Sequence, residues 1–142
     1  ISVDLDHFKA VNDSHGHAAG DLVLRECAAV LSAVLSAAVG AGTAAGVTLG
    51  RLGGEEFLLL LPGATLETGR ALAERLCAAV AGHMFVLPVT NGTQRQVVAH
   101  RQTISLGVAC WTNAMLDASD LLDAADRRLY QAKHDGRNRV SS

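Results

Sequence analysis

The 142-residue sequence carries little net charge, no long apolar run and no paired cysteines. Its formal charge of −2 gives no general preference for nucleic acid or for a membrane surface. The run of large apolar residues at 57–61 has only the length of a strand, far short of the ~18 residues that cross a bilayer. Cys27, Cys77 and Cys110 form no C-x-x-C pair, and no signal-peptide pattern opens the sequence. These absences favour reduced thiols in a cytoplasmic domain that makes no membrane contact of its own.

The composition is typical of one globular domain, taken as residues 1–142, since 49% of residues are apolar and 18% are charged. Helical spacing of apolar residues predicts helices at 21–38 and 66–82, and a last one capped by Ser119 or Asp120 and ending near Gly136. Apolar stretches predict strands at 1–6, 47–52, 57–61, 85–89, 96–99 and 103–111, with Asn91 and Gly92 in a hairpin turn. This order predicts an α/β (α+β) sandwich of the ferredoxin-like kind.

The segment RLGGEEFLLLLPG, residues 51–63, places two adjacent carboxylates beside a strongly apolar run. A hairpin turn at its glycines would hold Glu55 and Glu56 at the edge of the sheet. Asp4 and Asp6 end another predicted strand, and if the two strands are neighbours, Asp4 and Glu55 converge. Such a pair suits Mg²⁺ shared with the phosphates of a nucleotide. An exposed acidic turn that merely closes the hairpin is the alternative, and this motif alone leaves both open.

The segment DHFKAVNDSHGHAAGD, residues 6–21, is dense in polar groups. Lys9 and the backbone N–H groups of a helix that opens near Phe8 suit a phosphate. Asn12 and Asp21 carry groups that read a base edge, because a carboxylate accepts the two adjacent donors of guanine and rejects adenine. Asp21 could equally cap the helix that follows it, and the spacing leaves both interpretations open.

The segment YQAKHDGRNRV, residues 130–140, places Lys133 and Arg137 four residues apart at a predicted helix end. The two side chains could face the same side and clamp a phosphate. They could also be cations placed favourably at a helix C-terminus, and the residues alone do not decide between these readings.

Four blocks in order make the sequence resemble the GGDEF domain, the diguanylate cyclase family. Residues 4–21 match D-x-D-x-F-K-x-x-N-D-x-x-G-H-x-x-G-D at every named position, and residues 53–57 are the GGEEF form of the signature. SLGVA at 105–109 and the segment at 130–140 match later blocks of the family. The resemblance covers nearly the whole chain and implies the palm-type fold of nucleotide cyclases.

The resemblance also implies an activity, in which two GTP condense into cyclic di-GMP and two pyrophosphates across a two-fold homodimer. Each subunit would supply half of the reaction centre. Mg²⁺ or Mn²⁺ would be held by Asp4, Glu55 and the Leu5 carbonyl, and Glu56 would act as base or transition-state stabiliser. The remaining implied roles are guanine reading by Asn12 and Asp21, phosphate binding around Phe8 and Lys9 with Lys133 and Arg137, and close approach of the ligand at Gly53 and Gly54.

Three departures from the family pattern qualify these expectations. The family's inhibitory product site, Arg-x-x-Asp, is replaced by Ala-Ala-Gly-Val at 44–47, so no feedback inhibition of the usual kind is expected. Arg75 resembles that site's second arginine, but alone it reads as a surface residue. The family's N-terminal helix and any regulatory domain are missing, which predicts a fragment of a longer protein that could be membrane-anchored elsewhere.

Two further hypotheses stand beside the cyclase. The domain could hold GTP or cyclic di-GMP without turnover, as a receptor module, and the intact acidic residues argue against this. It could also use ATP, which Asp21 argues against because its carboxylate matches guanine.

Overall fold

The computed structural model describes residues 1–42, 44–91 and 94–142. Within these residues the chain forms four helices and seven strands, which are mixed along the sequence. In chain order they are β1 Ser2–Leu5, α1 Phe8–His15, α2 His17–Gly40, β2 Thr48–Gly53, β3 Glu56–Leu60, α3 Leu66–Gly82, β4 Phe85–Asn91, β5 Gln94–His100, β6 Ile104–Gly107, α4 Ala118–His134 and β7 Val140–Ser141.

A five-stranded sheet forms the centre of the fold, in the order β2-β3-β1-β6-β7. Strand β1 is its middle strand and pairs antiparallel with both β3 and β6, while β7 joins β6 in parallel. All four residues of β1 are buried. Because successive strand residues face opposite sides, both faces of the sheet are covered at β1. Strands β4 and β5 form a separate antiparallel hairpin.

Helices flank the sheet, and the backbone of α4 lies directly against β6. Gly107 on β6 permits this approach, because a Cβ there would lie 2.1 Å from the Ala125 carbonyl oxygen and 2.2 Å from the Leu129 nitrogen. Apolar faces of α2 and α3 complete the core, with Leu24, Cys27, Leu31, Leu72, Leu76 and Val80 among the buried residues. This mixed sheet flanked by helices is the predicted fold class.

Most predicted elements are confirmed, with three corrections at their ends. Helix α2 begins at His17, four residues before the predicted start, which places Asp21 inside the helix. The strand predicted at 103–111 is limited to Ile104–Gly107. Asp117, rather than Ser119 or Asp120, caps α4, because its Oδ1 accepts the backbone N–H of both of those residues. Hairpin β4–β5 is present as predicted, but Gly92 of its turn lies outside the described residues.

Helix α2 is long and apolar enough, by length and composition, to cross a membrane. Its buried face nevertheless packs into the domain core through Val23, Cys27, Leu31 and Leu35, as the core helix of a globular domain would. The three cysteines are free, with Cys27 and Cys77 buried and Cys110 partly buried. Burial raises the pKa of the Cys27 thiol to about 12, so this thiol stays protonated at neutral pH.

Candidate active site

Asp4 and Glu55 meet where β1 runs beside the turn between β2 and β3. The Leu5 N–H donates to the Glu55 carbonyl oxygen over 3.3 Å, and Asp4 is the Cα partner of Glu56 in the β1–β3 ladder. Asp4 is only 6% exposed, whereas Glu55 is partly exposed. The antiparallel pairing of β1 with β3 therefore brings Asp4 close to Glu55, although the two residues are 51 positions apart in the chain. The sequence predicted this convergence.

Lys133 supplies the positive charge at this point. It lies on the last turn of α4, and its Nζ is 2.8 Å from Asp4 Oδ2. The Asp4 side chain is 9% exposed and that of Lys133 is 33% exposed, so this ion pair is partly shielded from water. The sequence predicted Lys133 as a phosphate ligand, and the fold adds that its ammonium neutralises an almost buried carboxylate.

The electrostatics at Glu55 favour a cation. Burial raises the pKa of Glu55 above its ordinary value, and the neighbouring Asp4 and Glu56 carboxylates raise it further, while Lys133 opposes the effect. Three carboxylates, those of Asp4, Glu55 and Glu56, therefore lie near one another with the ammonium group of Lys133 to offset part of their charge. A divalent cation between Asp4 and Glu55 would relieve this repulsion.

Asp6 does not belong to this carboxylate pair, although the sequence grouped it with Asp4. It is 4% exposed, and both of its carboxylate oxygens already accept hydrogen bonds. Oδ1 accepts from Ser105 Oγ at 2.7 Å, and Oδ2 accepts from Thr103 Oγ1 at 2.7 Å and from the Asn138 backbone N–H at 3.0 Å. Asp6 therefore ties β1 to β6 and to the segment after α4.

Glu56 begins β3 and is exposed to solvent. It lies opposite Asp4 in one ladder and opposite Gly53 in the other. Gly54 in the turn before it has a φ of 51°, a left-handed conformation that glycine adopts without strain. The turn thus presents a solvent-accessible carboxylate beside a half-buried one.

The start of α1 offers backbone donors beside the end of β1. His7 adopts a left-handed conformation with φ 56° as the N-cap, and Phe8, the first helical residue, is buried. The first N–H groups of a helix lack partners within it, so this turn can receive a phosphate oxygen. Lys9 is exposed and pairs with Asp13 over 2.6 Å, a surface contact that a phosphate could replace at small cost.

Asn12 packs against the first turn of α2. A Cβ at Gly20 would lie 2.0 Å from Asn12 Oδ1, so only glycine at position 20 leaves room for this amide. Asp21 follows directly and is exposed on α2. Because α2 begins at His17, Asp21 lies inside the helix and the interpretation of Asp21 as its N-cap is wrong.

Asp21 lines a groove of about 450 Å³ between α2 and the β2–β3 hairpin. Leu24, Ala28, Leu49 and Phe57 provide the apolar part of its wall, and Arg25 and Arg51 join Asp21 at its polar part. An apolar slot with a carboxylate at its rim can hold a flat base and accept hydrogen bonds from its edge.

Arg137 is placed differently from the expectation that it shares a helix face with Lys133. Helix α4 ends at His134, and Arg137 lies beyond it with φ 63°, so helical spacing does not relate the two side chains. The Asn138 N–H bond to Asp6 instead anchors this segment beside β1. Arg137 is exposed and close in sequence to that anchor.

The residues present fit a divalent cation. Carboxylate and carbonyl oxygens are the ligands that Mg²⁺ prefers, and Asp4, Glu55 and the β1 backbone offer both kinds. The described part of the chain contains no cluster of three or more His, Cys, Asp or Glu side chains suited to a metal. Two carboxylates and a carbonyl group supply only part of the six oxygen ligands that Mg²⁺ takes.

Three supporting roles were not identified from the sequence, although Asp6 itself was predicted as part of the acidic group. Gly20 makes room for Asn12, Asp6 is a hydrogen-bond centre, and Arg51 reaches over the glycine turn. Gly20 and Asp6 belong to the quoted motif, so that motif was their signal. The contact made by Arg51 depends on the shape of the turn, and the sequence does not reveal it.

The chain matches the family model described as "Diguanylate cyclase, GGDEF domain" over residues 1–139. Diguanylate cyclase A of Treponema denticola is 36% identical over 141 residues, covering 99% of this chain and 34% of its own length. Probable diguanylate cyclase DgcE of Escherichia coli is 37% identical over 141 residues, covering 99% of this chain and 11% of its own length. The chain thus spans about a third or less of these curated relatives.

Solved structures agree with the sequence comparison. The active GGEEF domain of a diguanylate cyclase from Vibrio cholerae superposes with a TM-score of 0.77 at 32% identity, covering 99% of this chain and 78% of that one. The GGDEF domain of DgcB from Caulobacter crescentus, in complex with c-di-GMP, gives a TM-score of 0.80 at 29% identity, with coverage of 99% and 74%.

Proposed function

Because the chain belongs to the GGDEF family of diguanylate cyclases, we propose that it condenses two GTP into cyclic di-GMP and two pyrophosphates. In each half-reaction a ribose 3′-hydroxyl loses its proton and attacks the α-phosphate of the other GTP. A new P–O bond forms, and the bond to the β-phosphate breaks to release pyrophosphate. The observation that carries the proposal is the convergence of Asp4 and Glu55 beside an exposed Glu56.

Asp4, Glu55 and the Leu5 carbonyl would hold Mg²⁺ or Mn²⁺. The cation, when bound, would neutralise phosphate charge and lower the pKa of the attacking hydroxyl. Glu56 begins β3 in an exposed position, where it can reach a substrate on the open side of the turn. It would either take the hydroxyl proton or stabilise the charge that develops in the transition state.

The nucleotide would lie with its base in the groove lined by Asp21 and its phosphates at the start of α1. Asn12 and Asp21 would read guanine, since the carboxylate accepts both the N1–H and the 2-amino group. The backbone at Phe8 and Lys9 would hold phosphate oxygens. Lys133 and Arg137 would add positive charge, and Gly53 and Gly54 would let the ligand approach the hairpin.

The reaction needs a second copy of the domain, because each active site would hold one GTP and supply one attacking hydroxyl. A two-fold dimer would place the two nucleotides face to face, and holding them in line supplies much of the rate. Regulatory regions elsewhere in a longer protein would bring the two copies together. The Ala-Ala-Gly-Val sequence at 44–47 lacks the charges of an Arg-x-x-Asp product site, so we expect no feedback inhibition at that place.

The direct test is incubation of the purified protein at high concentration with GTP and Mg²⁺, with cyclic di-GMP detected by mass. Glu56→Gln preserves side-chain size and should abolish the product. Glu67→Gln, a change of an exposed glutamate on α3, is the matched control and should retain activity. The same assay on the protein fused to a dimeric partner removes weak association as a reason for failure.

Nucleotide binding without product, even in the fused dimer, would overturn the cyclase proposal in favour of a receptor module. Asp21→Ser should relax the preference for GTP over ATP. If that preference is unchanged, Asp21 does not read the base.

A further inference from the structure

The turn between β2 and β3 departs from regular hairpin geometry, so something must hold it. The register of the β2–β3 ladder shifts between Arg51 and Gly53, and Gly54 adopts a left-handed φ of 51°. Glycines lose the most conformational entropy on folding, which makes a two-glycine turn intrinsically loose. Glu55, the residue placed against Asp4, follows immediately.

Arg51 spans this turn. Its Nε donates to the Gly54 carbonyl oxygen at 3.0 Å, and its Nη2 donates to the same oxygen at 2.6 Å. From the other side, the Leu5 N–H donates to the carbonyl oxygen of Glu55. Two consecutive carbonyl groups are therefore held, one by Arg51 and the next by β1.

Holding these two carbonyls orients the peptide planes on either side of the Glu55 Cα. The direction in which the Glu55 side chain leaves the backbone is then set, at a point beside the end of β1 that carries Asp4. Repulsion among the carboxylates of Asp4, Glu55 and Glu56 acts against this arrangement. A rigid guanidinium with two donors resists that repulsion better than a flexible ammonium could.

We propose that Arg51 is a positioning residue, which clamps the Gly54 carbonyl and thereby keeps Glu55 in place to share a divalent cation with Asp4. The inference rests on the proposed function for its kinetic consequences. Its consequence for metal binding can be measured without turnover. Arg51 acts through the backbone of the turn and is not required to touch the reacting atoms.

The experiment compares Arg51→Ala and Arg51→Lys with Arg70→Ala. Arg70 is a suitable control because it is also an exposed arginine engaged in a contact, with Glu74 on α3 at 2.9 Å. Binding of Mn²⁺ is followed by electron paramagnetic resonance, both without nucleotide and with a non-hydrolysable GTP analogue that supplies the phosphates. The Mg²⁺ dependence of turnover, kcat and KM for GTP are then measured, with thermal unfolding as a check on the fold.

We expect Arg51→Ala to weaken Mn²⁺ binding roughly tenfold, the effect of losing hydrogen bonds from a charged donor. The Mg²⁺ concentration for half-maximal turnover should rise by a similar factor. KM for GTP at saturating Mg²⁺ should change by a smaller factor, which reflects only the place of Arg51 in the wall of the groove proposed for the base. Arg51→Lys should recover little, because one ammonium does not reproduce the two-donor clamp. Arg70→Ala should match the wild type in all of these measurements.

Wild-type affinity for Mn²⁺ in Arg51→Ala would overturn the inference. So would a raised KM with unchanged Mg²⁺ dependence, since that indicates direct contact with the nucleotide. If the alanine variant unfolds, the lysine variant decides by the same criteria. If no variant turns over, including the wild type, the proposed function fails while the Mn²⁺ measurement still tests Arg51.

Discussion

Replacing Asp6 by asparagine tests whether this carboxylate holds the site together. The substitution keeps the size of the side chain but leaves one acceptor oxygen and an NH₂ group. Oδ1 can still accept from Ser105, and the Thr103 hydroxyl can rotate to accept from the new NH₂. The Asn138 backbone N–H, however, would face another donor where it now has Oδ2 at 3.0 Å.

The expected cost follows from these three contacts. A hydrogen bond to a charged group contributes about 1.5–3 kcal/mol, and here one bond is lost while two change from charged to neutral. We expect a loss of roughly 2–4 kcal/mol in the free energy of unfolding. For a chain of this length that corresponds to a fall in Tm of about 6–13 °C.

Thermal unfolding at neutral pH measures this effect, with Asp13→Asn as control. The Asp13 side chain is 61% exposed in its pair with Lys9, so its replacement should cost less than about 1 kcal/mol. Since Asp6 anchors the segment that carries Arg137, GTP affinity should also fall in Asp6→Asn. A Tm shift no larger than that of the control would refute the view of Asp6 as a structural centre.

Three further predictions concern the site and the last helix. Lys133→Met should raise the affinity for Mn²⁺ without nucleotide roughly fivefold, because Asp4 would no longer lose about 1 kcal/mol of its attraction for the metal to the Lys133 ammonium. Unchanged affinity in a metal titration would contradict this. Gly20→Ala should weaken GTP binding about tenfold in calorimetry, since the new Cβ displaces the Asn12 amide, and wild-type affinity would remove Asn12 from the base site. Hydrogen bonds from Ser119 lower the pKa of Asp117 in the folded state below its ordinary value of 3.8. The ionised cap therefore contributes its full stability at pH values above 3.8, and this contribution is lost as the pH falls through the lowered folded-state pKa. The Tm difference between Asp117→Ala and the wild type should therefore shrink in acid, and a difference that grows would refute the assignment.

The spacing of apolar residues along the sequence predicted most helices and strands, but it did not predict where each one begins and ends. Helix α3 was predicted at 66–82 and spans Leu66–Gly82, because its apolar spacing and its Thr65 cap agree. The start of α2 was misplaced, since Gly16 and Gly20 resemble a loop, whereas in the fold the first turn of α2 packs against Asn12 at Gly20. Strand β7 has two residues and depends on the parallel β6 for its partner, so periodicity could not reveal it.

The sequence alone determined the fold class, the family and the identity of the acidic and basic residues, because these depend on side-chain type and spacing. Only the tertiary structure decided which of those residues lie at the candidate site and which ones hold the fold together. Asp4 and Asp6 are two residues apart and chemically identical, yet one faces Lys133 and Glu55 while the other has both oxygens occupied by hydrogen bonds. The physical reason is that adjacent strands, the β2–β3 turn and the segment after α4 determine each carboxylate's partners, and those contacts join residues distant in the chain.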